Sequence, residues 1–172
     1  VSKETAKHFD YETELVIVIG RTARNVSEAD ALSYVFGYCI GQDFSARDQQ
    51  ARQIMLGKAG DGWAPIGPWL VDAADVRNPM NLRLTTTVNG TVTQRGSTGD
   101  MVFDIAFLIA YLSAFMTLSP GDIILTGTPD GLSGVHAGDE VITEVGGIGR
   151  LVSTVVEDVA VDGDSAWPTT SG

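Results

Sequence analysis

Cysteine occurs once in these 172 residues and histidine only twice. The lone thiol, Cys39 in the apolar run YVFGYCIG, can form no internal disulfide and points to a reducing, cytoplasmic setting. His8 stands in a polar lead-in and His136 in the turn SGVHAGDE. Neither has an obvious nucleophile partner, and no Gly-x-Ser-x-Gly occurs, which argues against classical serine or cysteine hydrolysis. Basic residues are also scarce: 11 Lys and Arg face 22 Asp and Glu, a net charge of -11. That balance disfavours nucleic acid or an anionic membrane as partner. The longest uncharged stretch, 105–120, includes Tyr111, Ser113, Thr117 and Ser119, and is shorter and more polar than the roughly 18 apolar residues of a membrane-spanning helix. No signal peptide is visible. The sequence begins at Val1, already in the polar lead-in VSKETAKHF, and a segment upstream of it is expected.

What is present is a globular composition, 44% hydrophobic and 19% charged, long enough for one domain with a real core. Twenty glycines and six prolines interrupt the chain in the manner of a strand-rich fold. We expect an α+β domain dominated by strands, spanning residues 1–158, with a flexible tail over 159–172. Ser27 with Asp30 predicts a short helix over about 28–34. VFGYCIGQ reads as a buried strand and WAPIGPWLV as a strand broken by Pro and Gly. LRLTTTVNGTVTQRG is a hairpin turning at Asn89-Gly90 in type I′. One long helix is expected over about 98–116, because Met101, Ile105, Leu108, Ile109, Leu112 and Met116 recur at helical spacing. Ser97 or Thr98 would cap it and Pro120-Gly121 would stop it.

The run DYETELVIVIG carries the first chemical signal. In a strand, Glu12 and Glu14 share a face with Val16 and Val18, while Tyr11, Thr13, Leu15, Ile17 and Ile19 take the other. Two carboxylates so close repel, and either water or a cation must relieve them. One reading is a strand end with two solvated glutamates; the other is a site for a hard divalent cation, with oxygen-only ligands. Asp43, where the apolar run GYCIGQD meets FSARD, is the best third ligand, though an Asx turn or helix cap would equally explain it. Asp48 competes, unless it pairs with Arg47 or Arg52. Arg47, Gln50 and Lys58 bring donors to the same stretch, as a solvated helix face or as the lining of an anion pocket. LTGTPDG is a strand and turn in which Thr128 could offer its hydroxyl and N–H to a carboxylate.

Six segments, YETEL…VIG, GYCIGQDFSARDQQ, GKAGDGWAPIGPWLV, NPMNLRLTTTVNG, STGDMVFDIAFLIAYLS and LSPGDIILTGTPDG, occur in the order of the fumarylacetoacetate hydrolase family. From about residue 8 to about 158 the chain resembles that family's C-terminal catalytic domain, notably its acylpyruvate hydrolase and 2-hydroxyhepta-2,4-diene-1,7-dioate isomerase-like members. The resemblance implies a β-roll of layered mixed sheets and a homodimer. It implies Glu12, Glu14 and Asp43 as ligands of Mg²⁺ or Mn²⁺, and Arg47, Gln50, Lys58 and Thr128 around the substrate, with Lys58 and Arg47 offsetting the charge of a leaving enolate.

The activity implied is cleavage of a C–C bond in 2,4-dioxo acids of the acylpyruvate or fumarylpyruvate type, in the catabolism of aromatic compounds or amino acids. Isomerisation or decarboxylation of related 2-oxo or 2-hydroxy-dienoate acids, oxaloacetate included, is the alternative. Hydrolytic members activate water with a His/Glu pair on an N-terminal lid, and that pattern is not found here. A metal- or ligand-binding domain lacking its lid, without catalysis, is therefore the reading from another class.

Overall fold

The structure, a computed structural model, describes residues 6–158; the tail expected over 159–172 lies outside them. In chain order its first strands are β1 (Phe9–Asp10), β2 (Thr13–Ile19), β3 (Val35–Gln42), β4 (Ser45–Ala46) and β5 (Ile66–Asp72). They are followed by β6 (Arg83–Val88), β7 (Thr91–Ser97), β8 (Ile123–Leu125), β9 (Glu140–Val145) and β10 (Gly149–Thr154). Three α-helices lie among them: α1 (Glu28–Ala31), α2 (Arg47–Gln50) and α3 (Ile105–Phe115). One sheet runs β5-β3-β2-β8, a second β10-β9-β6-β7, and β1 pairs with β4.

The strand-dominated α+β architecture agrees with the expectation from sequence, but mixed sheets do not: every pairing among the described strands is antiparallel. The long helix α3 leads from β7 in one sheet to β8 in the other, so it makes no parallel crossover.

The alternation of β2 decides how the sheets meet. Leu15, Ile17 and Ile19, all fully buried, enter the main core with Ile40 of β3, Leu84 of β6 and Val145 of β9. Ile105 and Ile109 of α3 close that core from one side. At the Thr13 end of β2 the intersheet layer becomes polar, with Thr13, Gln42, Thr86, Gln94 and Thr143 all buried. A satellite cluster gathers Phe9, Tyr11, Phe44 and Val141, in which the Phe9 and Phe44 rings stack at 5.4 Å.

Local signals hold at the short elements and shift at the long one. Ser27 caps α1, which continues as a 3₁₀ turn over Leu32–Tyr34. Asn89 and Gly90 sit at φ 48 and 82 in the hairpin, as a type I′ turn requires. The long helix is shorter than expected at its start. Ser97 and Asp100 form a capping box on a separate 3₁₀ turn, Met101 is extended, and Asp104 caps α3 by accepting from the Phe107 N–H. The helix ends at Phe115, before Pro120, because Leu118 turns back to bridge to Ala23.

Candidate metal centre

Glu12 and Asp43 meet because the β2–β3 ladder continues one step beyond the strands. Thr13 lies opposite Gln42 and Glu14 opposite Gly41, and the Asp43 N–H donates to the Glu12 carbonyl at 2.8 Å. Glu14, two residues along, shares the face of Glu12. One carboxylate oxygen from each of Glu12, Glu14 and Asp43 lies within 4.8 Å of the other two. The three residues singled out in the sequence do converge.

Their surroundings differ. Glu14 is only 3% exposed and accepts from the Gly127 N–H at 2.5 Å. Burial pushes its carboxyl up to about 7, the Gly127 bond opposes this, and the neighbouring Asp43 and Glu12 charges add to it. Burial also raises Asp43, against its bond from Lys58. Lys58 Nζ donates to Glu12 Oε2 at 2.5 Å and to Asp43 Oδ2 at 2.6 Å. Burial alone would lower the Lys58 ammonium, but the bonds to Asp43 and Glu12 override it and hold it above the ordinary lysine range. Gly57 permits this approach, since a Cβ there would stand 2.8 Å from the Ala46 carbonyl oxygen.

Arg47, the first residue of α2, donates through Nε to both oxygens of Asp10 at 2.9 and 3.0 Å and through Nη2 to Glu12 Oε1 at 2.5 Å. The Asp10 bond, opposed by burial and joined by Glu12, keeps its guanidinium firmly charged. Gln50 accepts from Arg47 Nη1 at 3.1 Å, so it touches the site through the arginine. Asp48 is not brought to the triad; its carboxylate accepts from the backbone N–H groups of Lys7 and His8 at 3.2 and 3.3 Å. It also forms no ion pair with Arg47 or Arg52 among the described residues.

The TGTP turn reaches the triad from the other side. Thr126 bonds the Leu15 carbonyl through its hydroxyl at 2.9 Å, which pins the turn to β2 and sets Gly127 against Glu14. Thr128 lines a cleft of about 230 Å³ with Thr126, Gly127, Pro129 and Met101, and none of Glu12, Glu14 and Asp43 is in its wall. Both histidines are exposed.

Two features around the site carry little or no signal in the sequence. Asp10 stands at the same parity as Glu12 and Glu14, so the period-two pattern of DYETE could have revealed Arg47's bidentate partner. The buried hydroxyl and amide layer behind β2 gives no such signal, because Thr and Gln in a hairpin look solvent-facing.

All the donors of the triad are carboxylate oxygens, a hard set that suits a divalent cation. Glu14 Oε1 and Asp43 Oδ1 accept no hydrogen bond among the described residues. Lys58 and Arg47 offset Glu12 and Asp43, but the buried Glu14 has no ion-pair partner among the described residues and is costly to leave ionised without a further cation. The residues therefore fit a metal ion.

The profile of the family described as fumarylacetoacetate (FAA) hydrolase C-terminal matches residues 1–156. The chain belongs to this family. It is 52% identical over 159 residues to a 4-hydroxyphenylacetate degradation bifunctional isomerase/decarboxylase of Salmonella dublin, covering 91% of this chain and 37% of that protein. The chain thus spans well under half the length of that relative. Among solved structures, it resembles 5-carboxymethyl-2-hydroxymuconate delta-isomerase from Mycobacterium smegmatis, with TM-score 0.85, 44% identity, and coverage of 90% of this chain and 61% of that one. It also resembles fumarylpyruvate hydrolase from Pseudomonas aeruginosa in complex with Mn²⁺ and pyruvate, with TM-score 0.85, 34% identity, and coverage of 89% and 68%. No described helix is long and apolar enough to cross a membrane.

Proposed function

We propose that this chain is the catalytic domain of a metal-dependent enzyme that cleaves a C–C bond in 2,4-dioxo acids of the acylpyruvate or fumarylpyruvate type. The observation that carries the reading is the convergence of Glu12, Glu14 and Asp43 within 4.8 Å, bordered by the charged groups of Lys58 and Arg47. Glu12, Glu14 and Asp43 hold Mg²⁺ or Mn²⁺, and the complex of the Pseudomonas aeruginosa fumarylpyruvate hydrolase with Mn²⁺ and pyruvate supports that choice. An ion held by these three residues would supply Lewis-acid polarisation of a 2-oxo acid.

The protein's own groups do the rest. Lys58 and Arg47 offset the negative charge that develops on the pyruvate-type leaving group as the C–C bond breaks. Gln50 holds Arg47 in place, and Thr128 donates to the substrate carboxylate. Asp10 anchors Arg47 through Nε, which leaves Nη1 on Gln50 and Nη2 on Glu12. The working form is a cytoplasmic homodimer, on the family resemblance and the reduced Cys39.

A second reading, isomerisation or decarboxylation of related acids, is favoured by the functions of the 52% and 44% identical relatives. Product analysis on an acylpyruvate and on a 2-hydroxy-dienoate, with Mg²⁺ or with chelator, separates them. Hydrolysis yields two acids, decarboxylation yields CO₂, and isomerisation leaves the mass unchanged. Equal turnover in metal and in chelator refutes the metal-dependent scheme, and no turnover of any 2-oxo acid favours a non-catalytic binding domain.

A further inference from the structure

We propose that Gln94 is a positioning residue that fixes the Thr128 hydroxyl as a hydrogen-bond donor toward an anionic oxygen of the ligand. This rests on the reading of the site as a 2-oxo acid pocket. Gln94 is 1% exposed and sits between the two sheets. Its Nε2 lies 2.7 Å from the Pro129 carbonyl oxygen and 3.0 Å from Thr128 Oγ1. A carbonyl oxygen can only accept, so the amide nitrogen must face Pro129. Its second N–H then donates to Thr128 Oγ1, and the single Thr128 proton is left for another acceptor. No other partner of that hydroxyl occurs among the described residues.

The same logic runs backward through the layer without a choice at any step. Gln94 Oε1 can only accept, and does so from Thr86 Oγ1 at 2.6 Å. Thr86 has spent its proton, so it accepts from the Thr13 hydroxyl. Thr13 in turn accepts from Thr143 at 3.0 Å, and Thr143 from Gln42 Nε2 at 2.8 Å. Gln42 Oε1, buried and without a partner among the described residues, is the end that such a one-way chain leaves over. A row of hydroxyls free to reverse would let Thr128 act as donor or acceptor. This one is set by Pro129, so Thr128, adjacent to the Gly127 that bonds Glu14, has its proton directed away from Gln94 and free to donate. A proton held free on that hydroxyl favours a carboxylate oxygen of the ligand as its partner.

The test is a double-mutant cycle on the full chain with Mn²⁺, read as the affinity for oxalate, an acceptor-only mimic of the 2-oxo acid end. Gln94→Glu replaces the amide donor with acceptors and turns the Thr128 proton inward; Thr128→Val removes the hydroxyl. Each single change is expected to weaken oxalate binding by roughly tenfold or more, with Mn²⁺ affinity unchanged, and the double change no more than Thr128→Val alone. Should Gln94→Glu fail to fold, Gln94→Leu enters the same cycle with the same expectation. Additive losses, or oxalate binding unaffected by the Gln94 change, overturn the positioning role. Oxalate that fails to bind the wild-type chain saturated with Mn²⁺ overturns the pocket reading itself, and the role with it, so the two failures are told apart.

Discussion

The two faces of β2 handle buried polarity in opposite ways at the same end of the strand. Thr13 and Glu14 are neighbours, exposed 0% and 3%. Thr13 joins a hydroxyl and amide layer in which each bonded group satisfies its neighbour without charge. Glu14 is set against two other carboxylates, with a backbone N–H and a distant ammonium as its only relief. The neutral layer satisfies most of its groups internally, Gln42 Oε1 excepted, so it stiffens the junction of the sheets. The acidic face is closed only in part, by Arg47 and Lys58 on Glu12 and Asp43, and Glu14 is left poised to take a cation.

The sharpest break of that contrast removes one member of the acidic face. Glu14→Gln should lower Mn²⁺ affinity and turnover by about a hundredfold or more, beyond the 10–100-fold typical of a ligand's supporting partners. The same change should raise the melting temperature of the metal-free chain near pH 8, because the buried charge is gone. Calorimetric Mn²⁺ titration and a thermal melt check both directions. Lys58→Met comes next: turnover should fall on the order of 10²-fold as the charge on the leaving group loses its partner. The metal-free chain should also lose stability, since Glu12 and Asp43 are left facing each other.

On the neutral face, Thr13→Val should cost about 1–3 kcal/mol by stranding its buried partners. Mn²⁺ affinity should stay as it is, and denaturant unfolding beside a metal titration measures the two together.

The remaining contrast is in the pH dependence. Glu14 is pushed from 4.5 up to about 7, so between those values the folded chain binds more protons than the unfolded one. Stability of the metal-free chain therefore falls as pH rises through that window, and the raised Asp43 acts in the same direction. Saturating Mg²⁺ should flatten the slope, as a series of melts from pH 4.5 to 7.5 would show.

The same contrast explains what is legible in the sequence. Glu12, Glu14 and Asp43 stand out because like charges at period two, beside a buried strand, demand a reason. The Ser27 cap and the Asn89-Gly90 turn stand out because they are local. Gln94 and Thr86 do not: in RLTTTVNGTVTQRG they alternate like the outer face of a hairpin, and only the second sheet above them makes that face an interior. The start of α3 is hidden for a related reason. Ser97, expected to cap the long helix, forms its capping box with Asp100 on a separate 3₁₀ turn instead; Asp104 captures the Phe107 N–H a turn later, and both caps obey the same rule. Asp48 competes with Asp43 as a ligand in the sequence, but in the fold the backbone N–H groups of Lys7 and His8 claim it.

Titrating Mn²⁺ into the chain at pH 6 and at pH 8, with proton release followed in buffers of different ionisation enthalpy, tests the central claim most directly. Binding at pH 6 should expel close to one proton, at pH 8 almost none, and Glu14→Gln should abolish the difference. Mn²⁺ that does not bind, or that binds equally well to Glu14→Gln with the same proton count, would contradict the account.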